Sequence, residues 1–474
     1  MSQLTKNISS WSLPDLIDLP AKAIVYYLLL DLLDKQQFGL LNLAMMVFSY
    51  HSLSQLGVVD WLMYELPKKY VLKQNMKTVL TESYFFSVIN QFVLTLIIAL
   101  IFCSYSNSSF FNIAVITYLI HTYFYNAFLH KTLFLRFQYK FEKLLKLRVF
   151  LILTRAMLEI SSILYAGIYG FLLVQAVIFV IPVVFLSSDI KFGFTWSITT
   201  ERYLSLAVSG MPFFAIALMS TIISNIDRWF IVYFYGLEWF ATYAVGIFTV
   251  TAILVVPGKV LSICTQYLKE MFVSSDNIQL NIDRTFSINN LLVVVLFIGL
   301  SVSVLFDYII LQYVPKYKDL IPLINALMLS IILRFSAALS SNVLYLLDKR
   351  GIVAKIQMLM TGFYISLLAI IYYFELEMSL VVWGMNLVFL VQIFVCLIVM
   401  LAQREISISA EIFKFIVLLL IAASCYFSYD FTAIELPRTF YIGICILVFC
   451  FRFRSAWGNL NYISSRGFSK SENE

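Results

Sequence analysis

From Met378 to Leu401 the chain reads MSLVVWGMNLVFLVQIFVCLIVML, two dozen residues without an Asp, Glu, Lys or Arg. Glu375 and Glu377 stand just before this stretch, and Arg404 and Glu405 just after it. A helix of that length, rising 1.5 Å per residue, spans about 30–36 Å, enough to cross the hydrocarbon core of a bilayer. In lipid a helix satisfies its own backbone donors and acceptors, so such a run predicts a transmembrane helix.

The pattern recurs along the whole chain. Of the 474 residues 61% are hydrophobic and only 13% charged, against about 25% charged in a soluble domain. Apolar runs bounded by polar clusters predict fourteen spans, near 13–33, 40–63, 80–103, 110–130, 147–167, 169–187, 204–226, 240–268, 286–310, 320–346, 353–374, 378–401, 412–429 and 436–453. The fold class expected is therefore an all-α polytopic membrane protein with about 14 transmembrane helices.

Charge orients the chain. With both termini inside, the inner loops and tails hold 24 Lys and Arg, including Lys68, Lys69, Lys73, Lys77, Lys140, Lys143, Lys146, Lys349, Arg350 and Lys355. The outer loops hold Lys35, Lys316, Lys318 and Arg438. This asymmetry is the positive-inside bias, and it would vanish if one span in the middle were miscounted. The N-terminus, with Pro14, Asp15 and Asp18, does not read as a cleavable signal peptide. The net charge of +6 belongs to loops beside anionic lipid and does not point to nucleic acid.

Soluble chemistry is not written in the chain. Gly258-Lys259 is followed by Val260, not Ser or Thr, and there is no His-Glu-x-x-His or spaced glycine dinucleotide turn. The cysteines Cys103, Cys264, Cys396, Cys425, Cys445 and Cys450 lie in or at the ends of spans without a Cys-x-x-Cys, and read as small apolar residues. His51, His121 and His130 are scattered and read as hydrogen-bonded span residues. The expectation is a non-enzyme with no cofactor and no metal.

Five cations fall inside predicted spans: Lys22, Arg155, Arg228, Lys259 and Arg334. Asp60, Glu82, Glu159 and Asp227 lie at similar depth. A charge at the bilayer centre costs about 2.5–3.5 kcal/mol on insertion scales, so these residues are expected to face a polar interior or an opposite charge. Arg155 has Glu159 one helical turn on. The five cations are candidates for binding an anionic, hydrated head group, since guanidinium matches phosphate oxygens in pairs. The four acids are candidates for ion coupling or charge pairing. Most aromatic residues belong to lipid-facing surface or interface belts, while Tyr123, Tyr125 and Tyr243 are candidates to line a sugar path.

Ser224-Asn225-Ile226-Asp227-Arg228-Trp229-Phe230, then Tyr235-Gly236, then Tyr243-Ala244-Val245-Gly246-Ile247-Phe248 resembles a pattern of polysaccharide-export flippases. These have an Asp-Arg pair at the end of the seventh span, a short Gly turn and a Gly-x-Tyr-like start of the eighth, and Phe248 replaces the Tyr. Leu33-Asp34-Lys35-Gln36-Gln37-Phe38-Gly39-Leu40 and Leu56-Gly57-Val58-Val59-Asp60 resemble the family's first outer turn and the end of its second span. Tyr313-Val314-Pro315-Lys316-Tyr317 resembles its Gly-Pro-x-Tyr turn, with Val for Gly. Asp34–Phe38 and Gly236–Phe240 also echo each other. Taken in order, from about residue 20 to 375, these matches resemble Wzx-type O-antigen flippases of the multidrug/oligosaccharidyl-lipid/polysaccharide exporter superfamily.

The resemblance implies two six-helix bundles, 1–190 and 191–402, around a central cavity, with two additional helices and a cytoplasmic tail in 403–474. It implies a flippase of the bacterial inner membrane that moves an undecaprenyl-diphosphate-linked oligosaccharide by alternating access, coupled to H+ or Na+. Its expected partners are that glycolipid, membrane lipids, a polysaccharide polymerase and a chain-length regulator. Two alternatives stand beside it: a multidrug/cation antiporter of the same superfamily, which usually has twelve spans and an acidic cavity, and a membrane polymerase or glycosyltransferase, which usually has one large external loop. The charge asymmetry makes a direct prediction. Reporters fused after Lys77, Lys146, Lys355 or the C-terminus should read cytoplasmic, and those near Ser106 or Glu375 external; an external C-terminus would overturn the topology.

Overall fold

The structure is a computed structural model that describes residues 3–71, 76–105, 108–137, 140–187, 199–274, 277–301 and 312–402, with Ile412, Phe415 and Ile416. The described residues are almost entirely helical and contain no strand. In chain order the helices are α1 (Gln3–Leu32), α2 (Lys35–Ser49), α3 (Val58–Val71), α4 (Met76–Tyr105), α5 (Ser109–Phe137), α6 (Phe141–Val177) and α7 (Val180–Ser187). They continue with α8 (Thr200–Phe234), α9 (Leu237–Ser274), α10 (Ile278–Ser301), α11 (Ile321–Leu346), α12 (Arg350–Tyr373) and α13 (Ser379–Leu401). Where they are described, the first twelve expected spans each fall on helix; those at 412–429 and 436–453 lie outside the described residues apart from the three named above. Among the described residues, six helical stretches are long and apolar enough to cross a membrane by length and composition.

These helices carry their polar residues inward. On α4, Ser83, Ser87 and Gln91 are buried at four-residue spacing, while Ile89, Phe92, Leu96 and Leu100 are exposed. A water-soluble helix has the opposite arrangement. Lipid accepts the Ile and Leu face, while Ser83 and Ser87 donate to Leu80 O and Ser83 O within α4 and Gln91 finds its partner on a neighbouring helix. Gln55 Nε2 donates to Asn126 Oδ1 at 2.7 Å, and Asn126 Nδ2 donates to Gln91 Oε1. That chain of carboxamides ties the second expected span to α5 and α4.

The second span departs from the sequence expectation of one continuous helix over 40–63. It runs as α2, a 3-10 turn over Tyr50–Gln55, a left-handed step at Leu56 and Gly57 (φ 45° and 72°), and then α3. Gly57 is required twice over. Its φ favours glycine, and a Cβ there would lie closer than 3.0 Å to Phe214 N and Gly210 O. A Cβ at Gly210 would meet Leu56 O in the same way. The break in the second span and α8 thus meet backbone to backbone.

The fifth and sixth expected spans meet at Gly167, where α6 breaks with φ 61° and ψ −148°. The sequence reading put the turn between 167 and 169. Because the helix folds back there, Gln175 reaches Glu159. The echo between the first and fourth outer turns is structural as well. Phe38 N donates to Asp34 O at 2.9 Å and Phe240 N to Gly236 O at 3.1 Å, and both Phe rings are buried. Asp34 also caps α2 by accepting from Gln37 N at 2.7 Å.

The chain forms two compact units, Ser9–Asn225 and Met1–Ile8 with Ile226–Glu474. The division falls within α8, later in the chain than the expected boundary at 190/191, whose residues lie outside those described. In the first unit α5 packs on α2, α4, α6 and α7. In the second, α11 packs on α9, α10, α12 and α13, and its Ala326–Leu346 stretch is largely buried. Ser330 Oγ on α11 donates to Asn386 Oδ1 of α13 at 2.5 Å, and Asn342 Nδ2 to Thr265 Oγ1 of α9 at 3.0 Å. On the predicted inner side, Asp348 at the α11–α12 turn takes Lys269 Nζ and Arg350 Nη2, each at 3.0 Å.

The glycines separate packing from backbone strain. Gly236 has φ 86° and nothing within 4 Å of a built Cβ, so Gly236→Ala should show only the left-handed penalty, about 1–2 kcal/mol. Gly57→Ala and Gly210→Ala force backbone apart and should lower the melting temperature of the detergent-purified protein well below that of Gly236→Ala. Equal melting temperatures would show that α8 does not rest on the break at Leu56–Gly57.

Candidate functional site

Six of the nine charged residues singled out from the sequence gather in two clusters, one in each unit. In the first unit, α1 and α6 bring together residues far apart in sequence. Lys22 Nζ lies 2.8 Å from Asp18 Oδ2 one turn before it on α1. Arg155 on α6 pairs with Asp18 through Nη2 and with Glu159 through Nε, the latter at 3.5 Å. Gln175 Nε2 donates to Glu159 Oε1 at 2.6 Å from beyond the Gly167 break, and the Gln175 carbonyl accepts from His121 Nδ1 of α5 at 2.6 Å. Asp18 and Glu159 are buried. Two acids face two cations, so the cluster is balanced, and Lys22 and Arg155 are both engaged by carboxylates of their own chain.

The second cluster is built around Asp227, which is 2% exposed. The α8–α9 hairpin, turning at Gly236, returns Tyr243 to the level of Asp227, and the Tyr243 hydroxyl donates to Asp227 Oδ2. Arg228, next on α8, and Arg334, on the central helix α11, both lie within Coulombic reach of Asp227 and of each other. Tyr364 of α12 completes the surround; it is buried, within Coulombic reach of Asp227 and Tyr243, and its hydroxyl donates to Val381 O at 3.3 Å. Asp227 Oδ1 is buried with no hydrogen-bond partner. Here two guanidiniums face one carboxylate, leaving a formal charge of +1.

The other three candidates stand apart from both clusters. Glu82 accepts from Arg202 Nε at 2.9 Å near the starts of α4 and α8. Asp60 is exposed in the first turn of α3. Lys259 is on α9, with its side chain outside the described residues. Each histidine donates from Nδ1 to a backbone carbonyl, His51 to Phe48, His121 to Gln175 and His130 to Asn126; the tautomer follows because a carbonyl only accepts. Among the described residues no group of His, Cys, Asp and Glu is placed to hold a metal ion.

Sequence reading missed Asp18 and Gln175 as members of the first cluster. The spacing of Asp18 and Lys22 was a usable signal, while nothing local pointed from Gln175 to Glu159. Tyr243 was a sugar-path candidate and proves to be the donor to a buried carboxylate. Folding the sequence back at Gly236 would have set it opposite Asp227.

No family model and no curated protein matches the chain by sequence. Solved structures do match by shape. A mutant form of the Vibrio cholerae MATE transporter VcmN superposes with TM-score 0.61 at 13% identity, covering 85% of this chain and 98% of its own. The fold is that of the MATE transporters. A MOP superfamily transporter from Pyrococcus furiosus, described as having a binding pocket of reversed polarity, superposes with TM-score 0.56 at 13% identity, covering 91% and 98%. ClbM, a MATE transporter in complex with Rb+, gives 0.55 at 14%, covering 87% and 96%. On this MATE scaffold the first unit of the present chain carries the balanced cluster and the second the cationic one.

The balanced cluster should behave as packing. Removing Arg155 leaves Asp18 with Lys22 alone and Glu159 with only Gln175, and breaking one partner of a buried pair costs about 3–5 kcal/mol. Arg155→Ala should therefore reduce membrane abundance and melting temperature, with Arg155→Lys recovering part of both. Normal abundance and melting in Arg155→Ala would mean that the pair does not hold α1 to α6.

Proposed function

We propose that this chain is a flippase that carries an undecaprenyl-diphosphate-linked oligosaccharide, a repeat unit of O-antigen or a related surface polysaccharide, from the inner to the outer leaflet of a bacterial inner membrane. One observation carries the reading: among the described residues, the half-buried Arg228 and Arg334 lie within Coulombic reach of one buried acid, Asp227. Two guanidiniums offer the paired donors that phosphate oxygens take, in surroundings where water competes little. An organic cation would meet a net positive site there. The diphosphate is held at Arg228 and Arg334, the sugars lie in the polar interior, and the lipid tail stays in the bilayer while alternating access moves the head group across.

The order of motifs from the Asp34 turn to Tyr317 supports this specialisation within the MATE fold. Both termini are placed in the cytoplasm by the charge count. The glycolipid, the coupling ion and a polymerase with its chain-length regulator are the partners this role requires. The multidrug antiporter is the competing reading, and two observations favour it: the structural neighbours include MATE transporters, and Asp18 and Glu159 place acids inside the first unit. Pocket polarity differs within this fold, as the description of the Pyrococcus furiosus protein states, and here the acids of the first unit are matched by Lys22 and Arg155.

Deleting the chain should accumulate lipid-linked repeat units on the inner leaflet and remove surface polysaccharide, with unchanged resistance to cationic dyes. Dye sensitivity with normal surface glycan would establish the antiporter instead. Arg228→Ala and Arg334→Ala should abolish surface polysaccharide at near-normal protein levels, and Arg→Lys should restore it partly, because Lys keeps the charge without the paired donors. Export that survives alanine at both positions would remove the diphosphate role assigned to them.

A further inference from the structure

We propose that the first unit holds a subsite for an uncharged pyranose sugar, built on the Tyr50–Gln55 turn, α4 and α5. This rests on the flippase reading above and gives the glycan of its substrate a site of its own chemistry within one unit.

The break in the second span sets two kinds of side chain against α5. At its start the His51 ring stacks on Phe48 with centroids 4.5 Å apart and meets Tyr125 of α5 edge-on at 6.0 Å. One turn earlier on α5, His121 lies parallel to Tyr125 at 6.2 Å and edge-on to Phe48 at 5.5 Å. These four rings are half-buried. The end of the turn carries carboxamide contacts instead. Gln55 donates to Asn126, the residue after Tyr125, and Asn126 donates to Gln91 of α4. All three amides are buried.

Around that carboxamide chain three buried polar atoms have no hydrogen-bond partner among the described residues: Ser54 Oγ, Gln91 Nε2 and His130 Nε2. Ser54 precedes Gln55, and His130 sits one turn past Asn126, whose carbonyl takes its Nδ1 proton. Gln91 Nε2 is a donor, His130 Nε2 in the neutral ring is an acceptor, and a serine hydroxyl is either. Leaving such groups unmet is costly, and a ligand whose own groups both donate and accept answers all three. Sugar hydroxyls do so. The C–H face of a pyranose also stacks on the electron-rich faces of aromatic rings. Half-buried rings beside a few oriented polar groups are the usual make-up of a small-molecule site.

The charge of the ligand follows from the side chains. None of the rings, amides or hydroxyls in this set is a carboxylate, ammonium or guanidinium. Arg155 and Arg148 come within Coulombic reach of His121 and Tyr125, and Arg155 is engaged by Asp18 and Glu159. The class of sugar that fits is therefore uncharged.

The test is saturation-transfer NMR on the full chain in detergent. The probes are the methyl glycosides of glucose, galactose, N-acetylglucosamine and rhamnose, with glucuronate as the charged comparison. At least one neutral glycoside should bind, with the strongest transfer at its ring C–H protons. Tyr125→Leu should weaken that binding about tenfold, and Tyr125→Phe, which keeps the ring, should recover most of it. Ser54→Ala deletes an unpaired hydroxyl, so its melting temperature should hold or rise while sugar affinity falls several-fold. A packing role for the turn does not produce that combination, and Ser54→Ala carries the test if Tyr125→Leu does not fold. The subsite is overturned if the wild type binds no neutral glycoside, if either variant binds undiminished, or if glucuronate binds more tightly than the neutral sugars. Surface polysaccharide still lost in Arg228→Ala and Arg334→Ala would then leave the flippase reading standing without it. Neutral-sugar binding by a chain whose deletion leaves surface glycan intact would instead keep the subsite and sink that reading.

Discussion

A chain that lives in hydrocarbon has no water to satisfy its inward polar groups, and that constraint governs where every polar residue of this structure sits. Each buried hydroxyl, amide or charge must find a partner, on its own helix as Thr122 and Thr285 do or on another, or carry an unmet penalty. The central helices α5 and α11 bear the consequence. α5 supplies Asn126 to a carboxamide chain with Gln55 and Gln91, and α11 supplies Ser330, Arg334 and Asn342 to neighbours on α9 and α13 or to the Asp227 cluster. Apolar side chains fill the spaces between the helices and also cover the exposed surface of α4.

The same constraint separates two kinds of buried charge. In the first unit, Lys22, Asp18, Arg155 and Glu159 sum to zero, and the arrangement is self-contained. In the second, Asp227, Arg228 and Arg334 sum to a positive charge, with one carboxylate oxygen lacking a donor. A balanced cluster has done its work once the helices are joined. An unbalanced one in a low-dielectric interior attracts charge of the opposite sign, and the proposed anion binding at Arg228 and Arg334 rests on that. The proposed function comes from this difference, since the likeness to MATE transporters shows the fold alone.

Two glycine-marked breaks carry the geometry that regular helices could not. At Gly167 the chain reverses within α6, which lets Gln175 reach Glu159. At Leu56–Gly57 the second span steps through left-handed backbone and meets Gly210 of α8. The first break coincides with the point where one apolar run ends and the next begins, so periodicity found it. The second was marked in the sequence by the polar stretch Ser49-Tyr50-His51-Ser52-Leu53-Ser54-Gln55-Leu56-Gly57, which an apolar window of about 20 residues averages away. Hydropathy over such a window records what the side chains prefer and not the backbone angles that place them.

Helical, membrane-embedded character was legible in the sequence alone, and the first twelve expected apolar runs fall on helix where they are described, six described stretches being long and apolar enough to cross a membrane. These follow from windows of about 20 residues, where hydropathy and charge are local properties of the chain. The sequence also singled out the Asp227–Arg228 pair and Arg334 as charges out of place in lipid. Helix packing was needed to show that Arg155 meets Asp18, 137 positions away, and that Arg334 comes within Coulombic reach of Asp227 and Tyr243. It likewise assigned Glu82 to an ion pair with Arg202, apart from both clusters. Helix packing fixes which faces meet, and the side chains that bring two distant charges together are the many apolar contacts between helices, which leave no mark at the charged positions themselves.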